Sequence, residues 1–280
     1  MADKWQRRKM LIWGKTRPEL SSKYRETVCT GGFWESDGRL VRIYPVPLRY
    51  MDDEKIFKKY QWIEADFMKS STDSRPESYK IRYDSVEVGE FIPTKAGNWD
   101  MRAAHVNWEK NTLRSVEELW ARHASDGTSL ALIRPARVVK VFSEPFSSED
   151  KARFWDNYKR ATQQMEWDFG EPLPVRPITP PDYRFMVRFR CDDPDCENNH
   201  NCRVLDWEPD ALYANCCKKG DSKQVAADKV VTKLTEACGP DKDLYFFMGN
   251  ISTHPSQFTI VGLWHPKKKS MAAGSQQHLL

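Results

Sequence analysis

Between two apolar stretches lies the segment RCDDPDCENNHNCRVLDWE, in which Cys191, Cys196, His200 and Cys202 fall within twelve residues. Three thiols and an imidazole on so short a loop form the donor set that zinc takes up tetrahedrally. Pro194, Asn198, Asn199 and Asn201 supply the turn chemistry that lets such a loop curl. The spacing Cys-x4-Cys-x3-His-x-Cys is not the common CxxC…CxxC pattern, and reduced thiols in a polar loop are the competing reading. Four protein ligands leave no open position for water. The expected Zn2+ is therefore structural, replacing core that a small strand–loop–strand unit cannot build.

The seven cysteines are an odd number, and several cluster near a histidine. With no apolar leader at the basic N-terminus, reduced thiols and a cytoplasmic location are expected. No run approaches the roughly 18 apolar residues of a membrane span, so no membrane partner is expected. A chain of 280 residues, 40% hydrophobic and 12% aromatic, suits two domains or one large one. Its net charge of +4 is modest but uneven. Lys4, Arg7, Arg8 and Lys9 open the chain, whereas Asp192, Asp193, Asp195, Glu197, Asp206, Glu208 and Asp210 surround the cysteine loop.

Turn and strand signals divide the chain. KMLIW at 9–13 reads as a buried strand, and Asp37-Gly38 sits between two β-prone runs as a hairpin signal. Residues 52–60 read as a short helix, 61–68, 78–83 and 85–92 as strands. Residues 115–123 read as a helix with Ser115 as N-cap and Glu118 at the capping-box position. Residues 128–143 give one or two strands broken near Pro135. A helix over 146–165 and the proline-rich stretch 170–182 then form a linker. From Tyr183 the order is strand, cysteine loop, strand, two helices (209–217 and 221–237) and a final strand pair (243–249 and 257–264). The expected fold class is α+β: a β-rich barrel domain over 1–145, a linker over 146–182, a zinc-stapled α+β domain over 183–266 and a disordered tail over 267–280.

The chemistry-bearing residues point to a polyanion. In RIYPVPLRY, strand alternation puts Arg42 and Tyr44 on one face, and two prolines carry Arg49 and Tyr50 onward. Arg75 and Lys80 in DSRPESYK add a second basic segment. Guanidinium groups pair with phosphate and tyrosine stacks on bases, so Arg42, Tyr44, Arg49, Arg75 and Lys80 are the candidate nucleic-acid contacts. The bland alternative makes Tyr44 core and pairs the arginines with acids such as Glu64 or Asp66. The triplet Gly14-Lys15-Thr16 is not a phosphate loop, because Lys9 stands where the earlier glycine is required. Lys15 and Arg17 are left as rim charges. Asp206 and Glu208 share a face and are candidate catalytic carboxylates for magnesium. The lysine of a restriction-type site is missing, however, since Asp210 takes its position. Asp206 as an outer partner of the metal histidine is the alternative. Adjacent Cys216 and Cys217 diverge by about 100° on a helix, so one at most could reach a metal. Asn250, His254 and His265 around the last hairpin are a further polar group, with no nucleophile marked beside them.

Three stretches (LIWGKTRPELSSKYRETVCTGG with RIYPVPLRY; YQWIEADFMKSSTDSRPESYK; and CENNHNCRVLDWE with FFMGNISTHPSQFTIVGLWHP) resemble an uncharacterised bacterial protein family. The resemblance covers most of the chain and implies that its halves act as one unit. It implies no catalytic residues. The order of short strands in the first half is similar to PUA- and ASCH-like nucleic-acid-binding barrels. The expectation is a nucleic-acid-binding protein, DNA or RNA, with a structural zinc, acting in bacterial defence or nucleic-acid processing. A metal-dependent nuclease using Asp206 and Glu208, and a protein-interaction subunit of a larger complex, are the alternatives.

Overall fold

The run at 10–13 is buried on both faces, and that decides the architecture around it. The computed structural model describes residues 4–21, 25–95, 97–169, 178–194, 196, 199–251 and 254–268. Its first strands are β1 (Gln6–Lys15), β2 (Glu19–Ser21), β3 (Arg25–Trp34), β4 (Leu40–Val46), β5 (Gln61–Lys69) and β6 (Ser78–Phe91). They hydrogen-bond in the order β1-β5-β6-β4-β3, and β3 returns to β1, which closes a five-stranded barrel; β2 extends β3 outside the ring. All of these pairings are antiparallel except β4–β6. Met10 and Ile12 point into the barrel core with Val41, Ile43, Ile63 and Phe67. Leu11 packs with Trp62 and Ile92, and Trp13 joins a separate aromatic cluster. A strand covered on both faces has to read as a continuous apolar run.

The chain then forms α1 (Asp100–Ala103), α2 (Trp108–Asn111), β7 (Thr112–Leu113), α3 (Val116–Asp126), β8 (Leu130–Ile133), β9 (Pro135–Pro145) and α4 (Ser148–Phe169). The remaining elements are β10 (Tyr183–Cys191), β11 (His200–Arg203), α5 (Trp207–Lys218), α6 (Lys223–Ala237), β12 (Tyr245–Ile251) and β13 (His254–Trp264). Two more sheets result, ordered β11-β10-β9 and β13-β12-β8-β7. Phe185, Val187, Phe189, Phe246, Met248 and Ile260 are among the residues that fill the core between them and α6. The barrel and this second unit meet in an aromatic seam. Trp13 stacks on Trp264 at 5.2 Å and meets Phe33 edge-on at 4.8 Å. At Gly31 a Cβ would come 2.7 Å from the Phe247 ring, so only glycine lets the second unit's β12 approach β3 this closely.

The structure differs from the sequence reading in several places. The stretch 52–60 is not a helix: Asp53–Lys55 makes one 3-10 turn and the rest is irregular. The two strands expected over 78–92 are one, β6. Strands β8 and β9, which fall in the stretch read from sequence as the first unit, hydrogen-bond to β12 and β10 of the second, and β7 pairs with β8. Pairing over such distances leaves no local trace, which is why the first unit read as running to 145. Of the linker, 170–177 lies outside the described residues, as do 269–280 of the expected tail and Asn198 of the cysteine loop. No helix among the described residues is long and apolar enough to cross a membrane.

Candidate functional site

The cysteine loop closes onto the start of α3. Ser115 caps that helix, its Oγ accepting from Glu118 N at 3.1 Å, and so fixes the first turn. The turn presents Val116 N–H to Cys191 Sγ at 3.4 Å, and Glu117 to the loop. Glu117 Oε1 lies 3.1 Å from His200 Nε2 and 3.6 Å from Cys196 Sγ, which is itself 3.2 Å from His200 Nε2. The four donor atoms of Glu117, Cys191, Cys196 and His200 all lie within 4.8 Å of one another. Ligand atoms around a tetrahedral zinc are about 3.3–3.8 Å apart, given its bond lengths. Glu117 Oε2 is buried without a hydrogen-bond partner, an unmet acceptor that a bound cation would satisfy. Burial pushes the Cys191 thiol above its usual value, against the pull of the Val116 N–H. These residues could hold a metal ion.

Cys202, expected as the fourth ligand, is not in this group. It sits on β11 opposite Val187, two positions beyond His200, which is opposite Phe189. A two-residue step on a strand is close to 7 Å, which sets Cys202 apart from the group although all three cysteines are buried in one apolar cluster. Burial pushes that thiol up to about 12. Glu117 takes the place expected for it. Nothing local in sequence marks Glu117, which lies 79 residues from Cys196.

A second arrangement lies where the barrel meets β12 and β13. A pocket of about 210 Å³ is lined by Arg17, Arg42, Arg75 and Arg203, with Tyr44 and Asn250 beside them. Val41 and Ile43 enter the barrel core, and strand alternation sends Arg42 and Tyr44 out to this pocket. Arg42 is 2% exposed and Tyr44 42% exposed, so the bland reading of Tyr44 as core fails. Arg75 pairs with Asp73 through Nε at 2.8 Å and Nη2 at 2.6 Å, while its Nη1 donates to Asn250 O and Oδ1. Arg17 donates to Thr179 O and stands 4.0 Å from Asp210. Arg203 lies 5.6 Å from the Phe146 ring centroid. Thr27 Oγ1 donates to Tyr44 Oη at 3.2 Å. Arg49 and Lys80 do not line this pocket. Arg49 lies in a 3-10 turn and Lys80 faces Met68 across β5–β6. Glu64 and Asp66, the acids suggested for the arginines here, pair with Arg7 and Arg82 instead.

Asp206 and Glu208 hold an ammonium. Lys59 Nζ lies 2.7 Å from Asp206 Oδ2 and 2.9 Å from Glu208 Oε2. Burial pulls the Lys59 ammonium down, but Asp206, Tyr60 and Glu208 outweigh it and hold its pKa above the usual value. A magnesium ion would have to displace Lys59. Asp206 Oδ1 accepts from Glu208 N at 3.2 Å and caps α5, and Lys59 takes its other oxygen. Capping and this ion pair replace the role expected for Asp206 beside the metal histidine. His265 packs on Trp99 at 5.0 Å, away from Asn250, which is committed to Arg75 and to Pro255 O.

Two family models cover the chain: Domain of unknown function (DUF8758) over residues 6–108 and Domain of unknown function (DUF8757) over residues 111–279. The second spans more than half of the chain, which belongs to that family. The models meet just before β7, where pairing passes from the barrel to the other sheets. No curated protein matches the chain. Among solved structures the chain is similar to the crystal structure of Ifi202 HINa domain in complex with 20bp dsDNA, at 10% identity, over 94% of this chain and 97% of that one, with a TM-score of 0.31. A likeness at that score carries no argument about fold or function.

Proposed function

We propose that the protein binds nucleic acid through the arginine-lined pocket and carries a structural zinc at Glu117, Cys191, Cys196 and His200. The observation that carries the first part is the convergence of Arg17, Arg42, Arg75 and Arg203 on one pocket with a half-exposed tyrosine. Asp73 pairs with Arg75, and Asp210 stands 4.0 Å from Arg17. Guanidinium is the preferred partner of phosphate, and a tyrosine face stacks on any base. A closed shell of two thiolates, an imidazole and a carboxylate supports zinc in a structural role, tying α3 to the β10–β11 loop.

The test is binding of fluorescent oligonucleotides, single- and double-stranded, DNA and RNA, to wild type and to Arg17→Ala/Arg203→Ala. Neither arginine is buried as Arg42 is, and a thermal melt of the double variant checks that it still folds. The double variant should bind at least about tenfold more weakly, at roughly 1 kcal/mol or more per charged contact. Unchanged affinity in the double variant excludes the pocket as the binding site.

A further inference from the structure

A buried cation needs a counter-ion, because neutral hydrogen bonds offset only part of its lost hydration. Arg42 is the most buried of the four arginines, and its partners are all neutral oxygens. Nη1 donates to Ser129 Oγ at 2.8 Å and Ser78 Oγ at 3.4 Å, and Nη2 to Asn250 O at 3.2 Å and Ser129 O at 3.4 Å. Glu77 gives its carboxylate to Ser129 instead, Oε1 accepting from Ser129 N and Oε2 from Ser129 Oγ. Asp73 is taken by Arg75. Among the described residues, Arg42 therefore has no direct carboxylate partner and lines a pocket in which three more guanidinium groups add to its charge. Burial pulls the Arg42 guanidinium below its usual value and the like charge of Arg75 adds to that, while Cys29, Glu77 and Asp73 oppose it only in part. An anion in the pocket offsets the remainder.

Shape and charge select the form of that anion. An internal phosphodiester has a nucleotide on either side, so its strand must enter and leave. A pocket of about 210 Å³ with its charge this deep accepts a strand end more readily than a continuing backbone, which would cross the mouth without reaching Arg42. A monoester phosphate also carries close to two negative charges at neutral pH and three acceptor oxygens, where a diester carries one charge. Tyr44, exposed beside the arginines, is placed to stack on the base next to the phosphate.

We propose that this pocket is a receptor for a terminal phosphate monoester at the end of a nucleic-acid strand, with Arg42 as the buried charge behind it. The inference rests on the nucleic-acid reading above. A free nucleoside monophosphate presents the same group, and the two sources are separated by experiment.

The experiment measures anisotropy of 12-nucleotide single strands of one sequence at fixed salt: one with a 5′-phosphate, one with a 3′-phosphate and one with hydroxyls at both ends. The label sits at the end opposite the phosphate, and nucleoside 5′- and 3′-monophosphates serve as competitors. One phosphorylated strand should bind at least about tenfold tighter than the hydroxyl-ended strand, the scale of a charge-assisted contact. Arg42→Met should abolish that preference. The wild-type comparison decides the matter even where Arg42→Met fails to fold, and Arg42→Lys, which keeps the charge, should retain part of it. Equal binding of all three strands overturns the terminal-phosphate inference and leaves nucleic-acid binding standing. Binding of a mononucleotide without binding of any strand upholds the monoester and overturns the nucleic-acid reading. Binding of neither overturns both.

Discussion

Replacing Lys59 by Met removes the ammonium that bridges Asp206 and Glu208 while keeping the volume of the side chain. Asp206 is 2% exposed and Lys59 11%, so the carboxylate cannot turn to water for its lost partner. Glu208, 65% exposed, can. The loss therefore falls on Asp206, and removing one member of a buried pair costs about 3–5 kcal/mol. With an m-value of about 2–3 kcal/mol per molar urea, the unfolding midpoint should drop by about 1–2 M at pH 7. The deficit should also depend on pH. Burial already holds the Asp206 carboxyl above its usual value against the pull of Lys59; without Lys59 it rises further, so the native variant binds the proton more strongly than native wild type does. Stability relative to wild type then rises as pH falls from neutral towards the ordinary carboxylate range, by about 1.4 kcal/mol per unit. The deficit should be smaller at pH 5 than at pH 7. Adding Asp206→Asn should restore stability at pH 7, because Asn removes the charge and still caps α5. Urea titrations of the three proteins at both pH values make the test. A Lys59→Met variant within about 1 kcal/mol of wild type at pH 7, or a deficit that ignores pH, refutes the reasoning.

At the metal centre, the purified protein should hold one zinc per chain by elemental analysis. Cys196→Ser and Glu117→Gln should lose it, whereas Cys202→Ser should keep it and lose only core stability. His265 is pushed down to about 4 by burial and by Lys59, so its contribution to stability is whole above its unfolded value and is lost as pH falls from about 6.5 towards 4. His265→Gln should flatten that part of a stability–pH profile recorded by thermal melting. Gly31→Ala would drive a Cβ into the Phe247 ring and should cost about 1–3 kcal/mol in denaturant unfolding.

Elements defined by neighbouring residues could be read from sequence, and elements defined by distant ones could not. Asp37-Gly38 makes the β3–β4 turn, with Gly38 at φ 64°. Ser115 and Glu118 make the N-terminus of α3, although Glu118 Oε2 accepts from Arg114 N rather than from Ser115. Both signals act within four residues. The helices α5 and α6 and the strand pair β12–β13 fall within a few residues of their expected places for the same reason. Three of the expected metal residues, Cys191, Cys196 and His200, come together because the loop is short, while Glu117 is delivered by a helix cap far away in the chain. Arg42 and Tyr44 share a face because strands alternate, and Arg75 joins them through Asn250. Arg203 and Lys59 carried no signal, since each gains its role from a strand or loop of the other unit. The pairing of β8 with β12 was illegible on the same ground.

Whether the arginine pocket meets phosphate decides the proposed function. The most direct measurement is the salt dependence of oligonucleotide binding by anisotropy, wild type against Arg17→Ala/Arg203→Ala. Affinity should fall linearly on a logarithmic salt scale, and the double variant should lower the slope by about one unit for each phosphate that its missing guanidinium groups no longer neutralise. No binding at low salt, or a slope identical in the two proteins, contradicts it.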